Sequence, residues 1–236
     1  MNPDITRSIA AIMECASRKN QNGKHALGQN RDVIALSSGT GAGGKEVGKI
    51  LAGYLGVKFY DEEIIEGIAR ETHLTKNILE LLDERIDGLK GAWFHSILTG
   101  ENLCKENYCR NLVNVILGLA CQGGVILGRG SCFILAQYPV FRVHIVGSLA
   151  KCADRVATEE DIPLDAAEQR VKEADKARNE YIKKLFHQNN NDPKSFDLVV
   201  NSDRLSPEHI ADFILRARKW IKFGGNSYPD GSFPTA

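Results

Sequence analysis

The sequence lacks any long apolar run. Nothing in its 236 residues approaches the roughly 18–20 consecutive apolar positions of a membrane-spanning helix. The first twenty residues hold no apolar core long enough for a secretory signal, because Glu14 interrupts the best stretch. A cytoplasmic protein with no membrane partner is the expectation. Net charge is also missing: 30 Lys+Arg are balanced by 30 Asp+Glu. No basic stripe interleaved with aromatics is present, which argues against nucleic acid as a partner. The six cysteines, Cys15, Cys104, Cys109, Cys121, Cys132 and Cys152, form no C-x-x-C pair, and no histidine stands at zinc-ligand spacing. Buried thiols in a reducing compartment are expected instead.

The composition, 43% hydrophobic and 25% charged, supports an ordinary folded core. The length suits one sizeable domain with appendages. Residues 1–30 read as an N-terminal extension: Ile5, Ile9, Ile12 and Met13 fall at helical spacing, and a polar stretch containing glycine follows. Residues 31–222 read as the main domain, with helical lid material at about 150–190. Residues 223–236, rich in Gly, Ser and Pro, read as a flexible tail.

Within the main domain, strand and helix patterns alternate. Short apolar runs at 33–38, 57–61, 124–128, 140–147 and 197–202 read as strands. Helical periodicity follows the first through Val47, Ile50, Leu51 and Leu55, with Gly56 as a stop. Further helices are expected at EEIIEGIARETHL, ILELLDERIDGL, NLVNVILGLACQ and across 148–188. Ser206 and Pro207 mark the start of the last one. Five buried strands alternating with helices imply an α/β fold with a five-stranded parallel sheet covered on both faces. In such a sheet, ligands bind beyond the carboxyl ends of the strands.

The residues at those ends carry the chemistry. Gly39-Thr40-Gly41-Ala42-Gly43-Gly44-Lys45 fits G-x-x-x-x-G-K directly after a strand and at the start of a helix. Glycines let the backbone wrap phosphate oxygens with its N–H groups. The helix dipole adds positive potential, and Lys45 supplies a charge for the β- and γ-phosphates. Expected nucleotide contacts run from Gly39 through Glu46 and Val47. Glu46 stands where Ser or Thr usually binds Mg²⁺, which leaves the metal ligands unknown: Glu46 or Asp61 could take the ion, directly or through water, Glu46 could instead turn to a neighbouring helix, and Thr40 could contribute a hydroxyl. Asp61 ends the second strand and reads as a ligand for an acceptor hydroxyl or a metal-bound water, or as an N-cap, two compatible roles. Arg129 lies between two glycines after the third strand, suited to an anionic ligand or to a surface ion pair. Asp175 and Arg178 share a helix face, which alone suggests an intrahelical ion pair. Yet residues 170–184 hold six basic and three acidic side chains, a positive segment suited to closing over a phosphate loop. Trp93, Phe94 and His95 read as acceptor-pocket or helix-packing residues.

The segments GTGAGGKEVGKILAGYLGVKFYDEEII, VILGRGSCFIL, DKARNEY and FDLVVNSDRLSPEHI resemble the cytidylate kinase-like family, P-loop relatives of bacterial cytidylate kinase. The resemblance runs from about Val33 to Arg218. It implies a P-loop NTPase fold and an ATP- and Mg²⁺-dependent transfer of the γ-phosphoryl group to a small-molecule acceptor such as the nucleoside monophosphate CMP. It further implies that Lys45, Arg129, Arg178 and Asp61 serve catalysis, that Asp61, Arg129, Asp175 and Arg178 hold the acceptor, and that Arg155 lies over ATP. Two departures stand out: Gly130 replaces the aspartate of Gly-Arg-Asp, and Glu46 follows the lysine. They keep open a nucleotide-binding regulatory module with weak or no catalysis, and a kinase of a non-nucleotide metabolite.

Overall fold

The computed structural model describes residues 32–71 and 103–221. The expected N-terminal helix, the helix at ILELLDERIDGL, the Trp93–His95 group and the tail lie outside these residues. In chain order the elements are β1 (Val33–Ser38), α1 (Gly44–Leu55), β2 (Phe59–Tyr60), α2 (Glu62–Glu71), α3 (Leu103–Gln122), β3 (Gly124–Leu127), α4 (Ser131–Ile134), β4 (Phe141–Val146), α5 (Leu149–Glu160), α6 (Leu164–Phe186), a 3₁₀ turn (Pro193–Ser195), β5 (Leu198–Asn201) and α7 (Pro207–Trp220). The short α4 has no counterpart in the periodicity, because a four-residue turn is shorter than one amphipathic repeat. The second strand is shorter than expected, pairing through Phe59 and Tyr60 with Val125 and Ile126 at the sheet edge.

The sheet order is β2-β3-β1-β4-β5, with all pairs parallel. The order follows from burial. Ile34, Ala35 and Leu36 of β1 have no exposure, so their strand needs cover on both faces and takes the centre. From β1 the chain leaves toward β2 on one side and later reaches β4 and β5 on the other. The carboxyl end of β1 therefore opens into the crevice where a ligand site is expected. Local signals fix the helix ends. Gly56 takes φ 63° and closes α1. The Ser148 hydroxyl accepts from Lys151 N–H at the start of α5, and Ser206 does the same from His209 N–H with Pro207 at the first helical position.

Each face of the sheet has its own core. One joins α2, α3, α4 and Phe196; the other joins α1, α5 and α7. Helix α6 belongs to both. Its Ala167 and Val171 sit in the second core, while Ile182 and Phe186 sit in the first. The eleven-residue step from Val171 to Ile182 spans about 16 Å of helix and carries Asp175 and Arg178 across the carboxyl edge of the sheet. The positive segment expected as a lid is thus an arch anchored at both ends.

Beneath the arch lies a buried polar group. His144 on β4 is 5% exposed and stacks on Phe196 with centroids 4.6 Å apart. Its Nδ1 faces the Ser37 carbonyl at 3.3 Å. Burial pushes the His144 pKa below its ordinary 6.5, helped by the Arg178 charge and opposed by the Ser37 carbonyl and Asp175. A depressed histidine means the unfolded chain binds more protons once the pH falls below 6.5. Stability is therefore full above that value and is lost as pH falls toward the folded pKa. The melting temperature should drop between pH 7.5 and 5.5, and the drop should shrink in His144→Gln. An equal drop in both proteins would assign the acid sensitivity to other groups.

Candidate phosphoryl-transfer site

The phosphate-loop segment leaves β1 and folds back under α5 before opening α1. Gly39 N–H donates to Ile145 O at 3.0 Å, and Ala42 N–H donates to Gly39 O at 3.1 Å. Gly41 has φ +72°, and a Cβ there would lie 2.4 Å from the Cys152 carbonyl oxygen. That backbone cannot yield, so only glycine fits where the loop passes α5. The first backbone bond into α1 runs from Val47 N–H to Gly43 O. No side chain caps this helix. The N–H groups of its first turn are thus left to face the loop, an arrangement suited to an anion.

A cavity of about 720 Å³ opens over the loop. Its floor is Ser37 to Gly39 and Gly41 to Glu46. One wall is Gly128 to Phe133 with Glu62, and the arch contributes Ala174, Ala177, Arg178, Tyr181 and Ile182. Arg155 and Ser202 line its other side. Lys45, about half exposed, places Nζ 3.3 Å from Asp61 Oδ2. That hydrogen bond, with the Asp61 charge, raises the Lys45 pKa above its ordinary value, so the ammonium remains charged. Asp61 Oδ1 also accepts from Ile64 N–H at 3.1 Å. The cap expected of Asp61 is therefore present, and its other carboxylate oxygen faces Lys45.

The arch touches the loop directly. Asp175 Oδ1 accepts from Thr40 N–H and Thr40 Oγ1, each at 2.9 Å. Arg178 donates to Asp175 Oδ1 at 2.5 Å and to Thr40 Oγ1 at 3.2 Å. The intrahelical pair expected from the spacing exists, and the same pair fastens α6 to the phosphate loop. Arg155 donates to the Gly41 carbonyl at 3.1 Å and to Ser202 Oγ at 2.9 Å, with a further bond to the Ser202 carbonyl. It braces the loop against the turn after β5.

Arg129 has φ 50°, which turns its side chain toward α2. Its Nε lies 3.2 Å from Glu66 Oε1 and its NH2 group 3.6 Å from Glu62 Oε2. The Tyr181 ring lies 5.9 Å from its guanidinium carbon. Sequence reasoning missed Glu62, Glu66, Tyr181 and Ser202. The first two were visible as an acidic i, i+4 pair just after Asp61, a weak signal because such pairs usually face solvent. Ser202 lies in the strand-end segment 201–203, where ligand chemistry is expected in such a sheet, but nothing singled out its hydroxyl.

Among the described residues no group of three or more His, Cys, Asp or Glu side chains is placed to hold a metal ion. Mg²⁺ in a nucleotide site needs only one or two carboxylates beside phosphate oxygens and water. Glu46 in the cavity floor and Asp61 beside Lys45 fit that modest donor set.

A parallel sheet of this order, a glycine loop opening a helix and a helical arch across it define the P-loop kinase fold. The sequence profile of the cytidylate kinase-like family matches residues 33–204, and the chain belongs to that family. Among solved structures it is similar to an uncharacterized protein from Eubacterium ventriosum ATCC 27560, with TM-score 0.66 and 18% identity over 80% of this chain and 99% of that one. This is a likeness of fold. The shikimate kinase of Acinetobacter baumannii, solved in complex with shikimate, has TM-score 0.44 and 17% identity over 80% of this chain and 93% of that chain. Among curated proteins, a uronate isomerase of Corynebacterium glutamicum is 30% identical over 109 residues, 44% of this chain and 21% of that protein. The chain thus spans about a fifth of the length of that curated relative. No helix among the described residues is long and apolar enough to cross a membrane.

Proposed function

We propose that the protein is an ATP- and Mg²⁺-dependent phosphotransferase acting on a small acceptor, with CMP-like nucleotides the first class suggested by its family. The observation that carries this reading is Lys45. It stands at the mouth of the loop, held by Asp61 at 3.3 Å, with Arg129 and Arg178 lining the same cavity. The uncapped N–H groups of α1 and the Lys45 ammonium would receive the β- and γ-phosphates. Arg178 would neutralise charge on the group in transfer, and Asp61 would orient the acceptor. Glu46 and Asp61 would hold Mg²⁺ through water. The ion supplies neutralisation of the phosphate oxygens that the arginines alone do not complete. Catalysis in this reading is positioning plus electrostatics, with no covalent intermediate.

The test measures ADP release from ATP and Mg²⁺ against a panel of nucleoside monophosphates and hydroxylated metabolites, beside direct binding of a non-hydrolysable ATP analogue. Acceptor-dependent ADP release is expected. Analogue binding with no release for any acceptor would mark a nucleotide-binding module without catalysis. Failure to bind the analogue would sink the nucleotide reading itself.

A further inference from the structure

The arch is held in the cores at Ala167 and Val171 and again at Ile182 and Phe186. Between those anchors its bonds to the loop are polar and converge on one oxygen. Asp175 Oδ1 accepts from Thr40 N–H and Thr40 Oγ1, each at 2.9 Å, and from Arg178 at 2.5 Å. The same Arg178 nitrogen donates to Thr40 Oγ1 at 3.2 Å. The Thr40 oxygen therefore donates to Asp175 and accepts from Arg178, a double task that needs a hydroxyl. The three residues stand differently toward the cavity. Arg178 lines it, with Ala174 and Ala177 beside it, whereas Asp175 and Thr40 do not. Among the described residues, the hydrogen bonds of the Arg178 side chain all run through one terminal nitrogen, which leaves Nε and the other nitrogen for a ligand. An arginine gives up rotamer freedom when it takes a ligand. Fixing one nitrogen beforehand removes part of that loss and keeps the planar fork oriented. The Asp175 charge works in the opposite direction, since it repels an incoming phosphate. Its side chain is 40% exposed, against 28% for Arg178, so water screens part of that repulsion, while the orientation is kept.

We infer that Asp175 and Thr40 are positioning residues: together they hold the Arg178 guanidinium ready for the γ-phosphate of ATP and touch no substrate themselves. The assignment rests on the phosphotransferase reading of the same cavity. It replaces the acceptor contact that the family resemblance implies for Asp175. It also ties the arginine to the phosphate loop. Thr40 precedes Gly41, whose carbonyl takes Arg155, so the loop is held from α5 on one flank and from α6 on the other. Loop geometry and arginine position are thereby set together. A change at Thr40 reaches Arg178 through two hydrogen bonds, without altering any residue that lines the cavity.

The experiment compares, on the full chain with Mg²⁺, the affinity for a non-hydrolysable ATP analogue with that for ADP. Their ratio isolates the terminal phosphate and needs no acceptor. Arg178→Ala should lower the ratio by about tenfold or more, the scale of a charge-assisted hydrogen bond. Asp175→Asn should lower it by at least about threefold, with ADP affinity little changed. Added to Arg178→Ala, the same substitution should cost nothing further, because a positioning residue acts only through the group it positions. Thr40→Val removes the hydroxyl without changing the charge and should lower the ratio too, whereas Thr40→Ser should retain it. The threonine pair keeps the test decisive if Asp175→Asn fails to fold. An unchanged ratio in Arg178→Ala, Asp175→Asn or Thr40→Val would overturn the inference. So would an equal loss from Asp175→Asn with and without Arg178. A higher ratio in Asp175→Asn would also overturn it, since the carboxylate would then be competing with the phosphate for the arginine. Failure of the unaltered protein to bind either nucleotide would instead defeat the reading beneath it.

Discussion

Replacing Lys45 by alanine is expected to lower kcat/KM for phosphoryl transfer by about a thousandfold, the scale seen when one preorganised charge stabiliser is removed. The fold should survive. Lys45 is 47% exposed, and its Asp61 partner keeps its bond to Ile64 N–H. A pair of that exposure contributes no more than about 1 kcal/mol to stability. The loss should therefore appear in turnover and not in the melting temperature. Lys45→Arg separates charge from geometry. The guanidinium keeps the charge but is a planar fork on a different stem, and it must reach the phosphates from the same helix turn while facing Asp61. A partial recovery, short of full activity, is expected. If Lys45→Ala retains activity within a few fold of the unaltered protein while folding normally, the loop is not the transfer site.

The part of this site that was legible in sequence is the part set by local rules. A β-branched run ending in Gly39-Thr40-Gly41 and a helix opening at Gly44-Lys45 are neighbours in the chain, and their spacing leaves the backbone few choices. Ser206 with Pro207, and Gly56 after Leu55, are equally local, and the helices begin and end at them. Asp175 and Arg178 could be paired from spacing alone, but their grip on Thr40 could not. It joins positions 135 and 138 residues apart and depends on α6 being buried at one end in each core. Arg129 shows the same limit. Its place after β3 followed from the strand pattern, whereas its two carboxylate partners lie on α2 and reach it only because β2 and β3 pair at the sheet edge. Arg155 was expected over ATP by resemblance. Its bonds to Gly41 O and Ser202 could not be foreseen, because nothing local distinguishes a bracing arginine from a binding one.

Placing an aspartate at position 130, as in the Gly-Arg-Asp expected from the resemblance to cytidylate kinase, should damage the protein instead of improving it. Gly130 has φ +75°, and a Cβ there would lie 2.3 Å from a Phe186 ring carbon. Phe186 is 3% exposed and packs on Phe133 at 6.1 Å and edge-on to Tyr181 at 6.2 Å between centroids, so its ring has little room to retreat. A left-handed backbone held by a non-glycine residue costs on the order of 1–3 kcal/mol, and an overpacked core costs about as much again. For Gly130→Asp the sum is about 4 kcal/mol, or a fall of roughly 8–16 °C in melting temperature for a domain of this size. The damage should spread along contacts. Displacing Phe186 moves Tyr181, and Tyr181 lies over Arg129, so acceptor KM should rise more than KM for ATP. Gly130→Ala isolates the steric cause, since it adds the Cβ without the carboxylate, and most of the destabilisation should remain. Phe186→Leu makes room, so Gly130→Asp/Phe186→Leu should lose less stability than the two single changes added together. A Gly130→Ala variant that melts with the unaltered protein would mean the ring can move aside. The glycine would then not be explained by the aromatic packing around it.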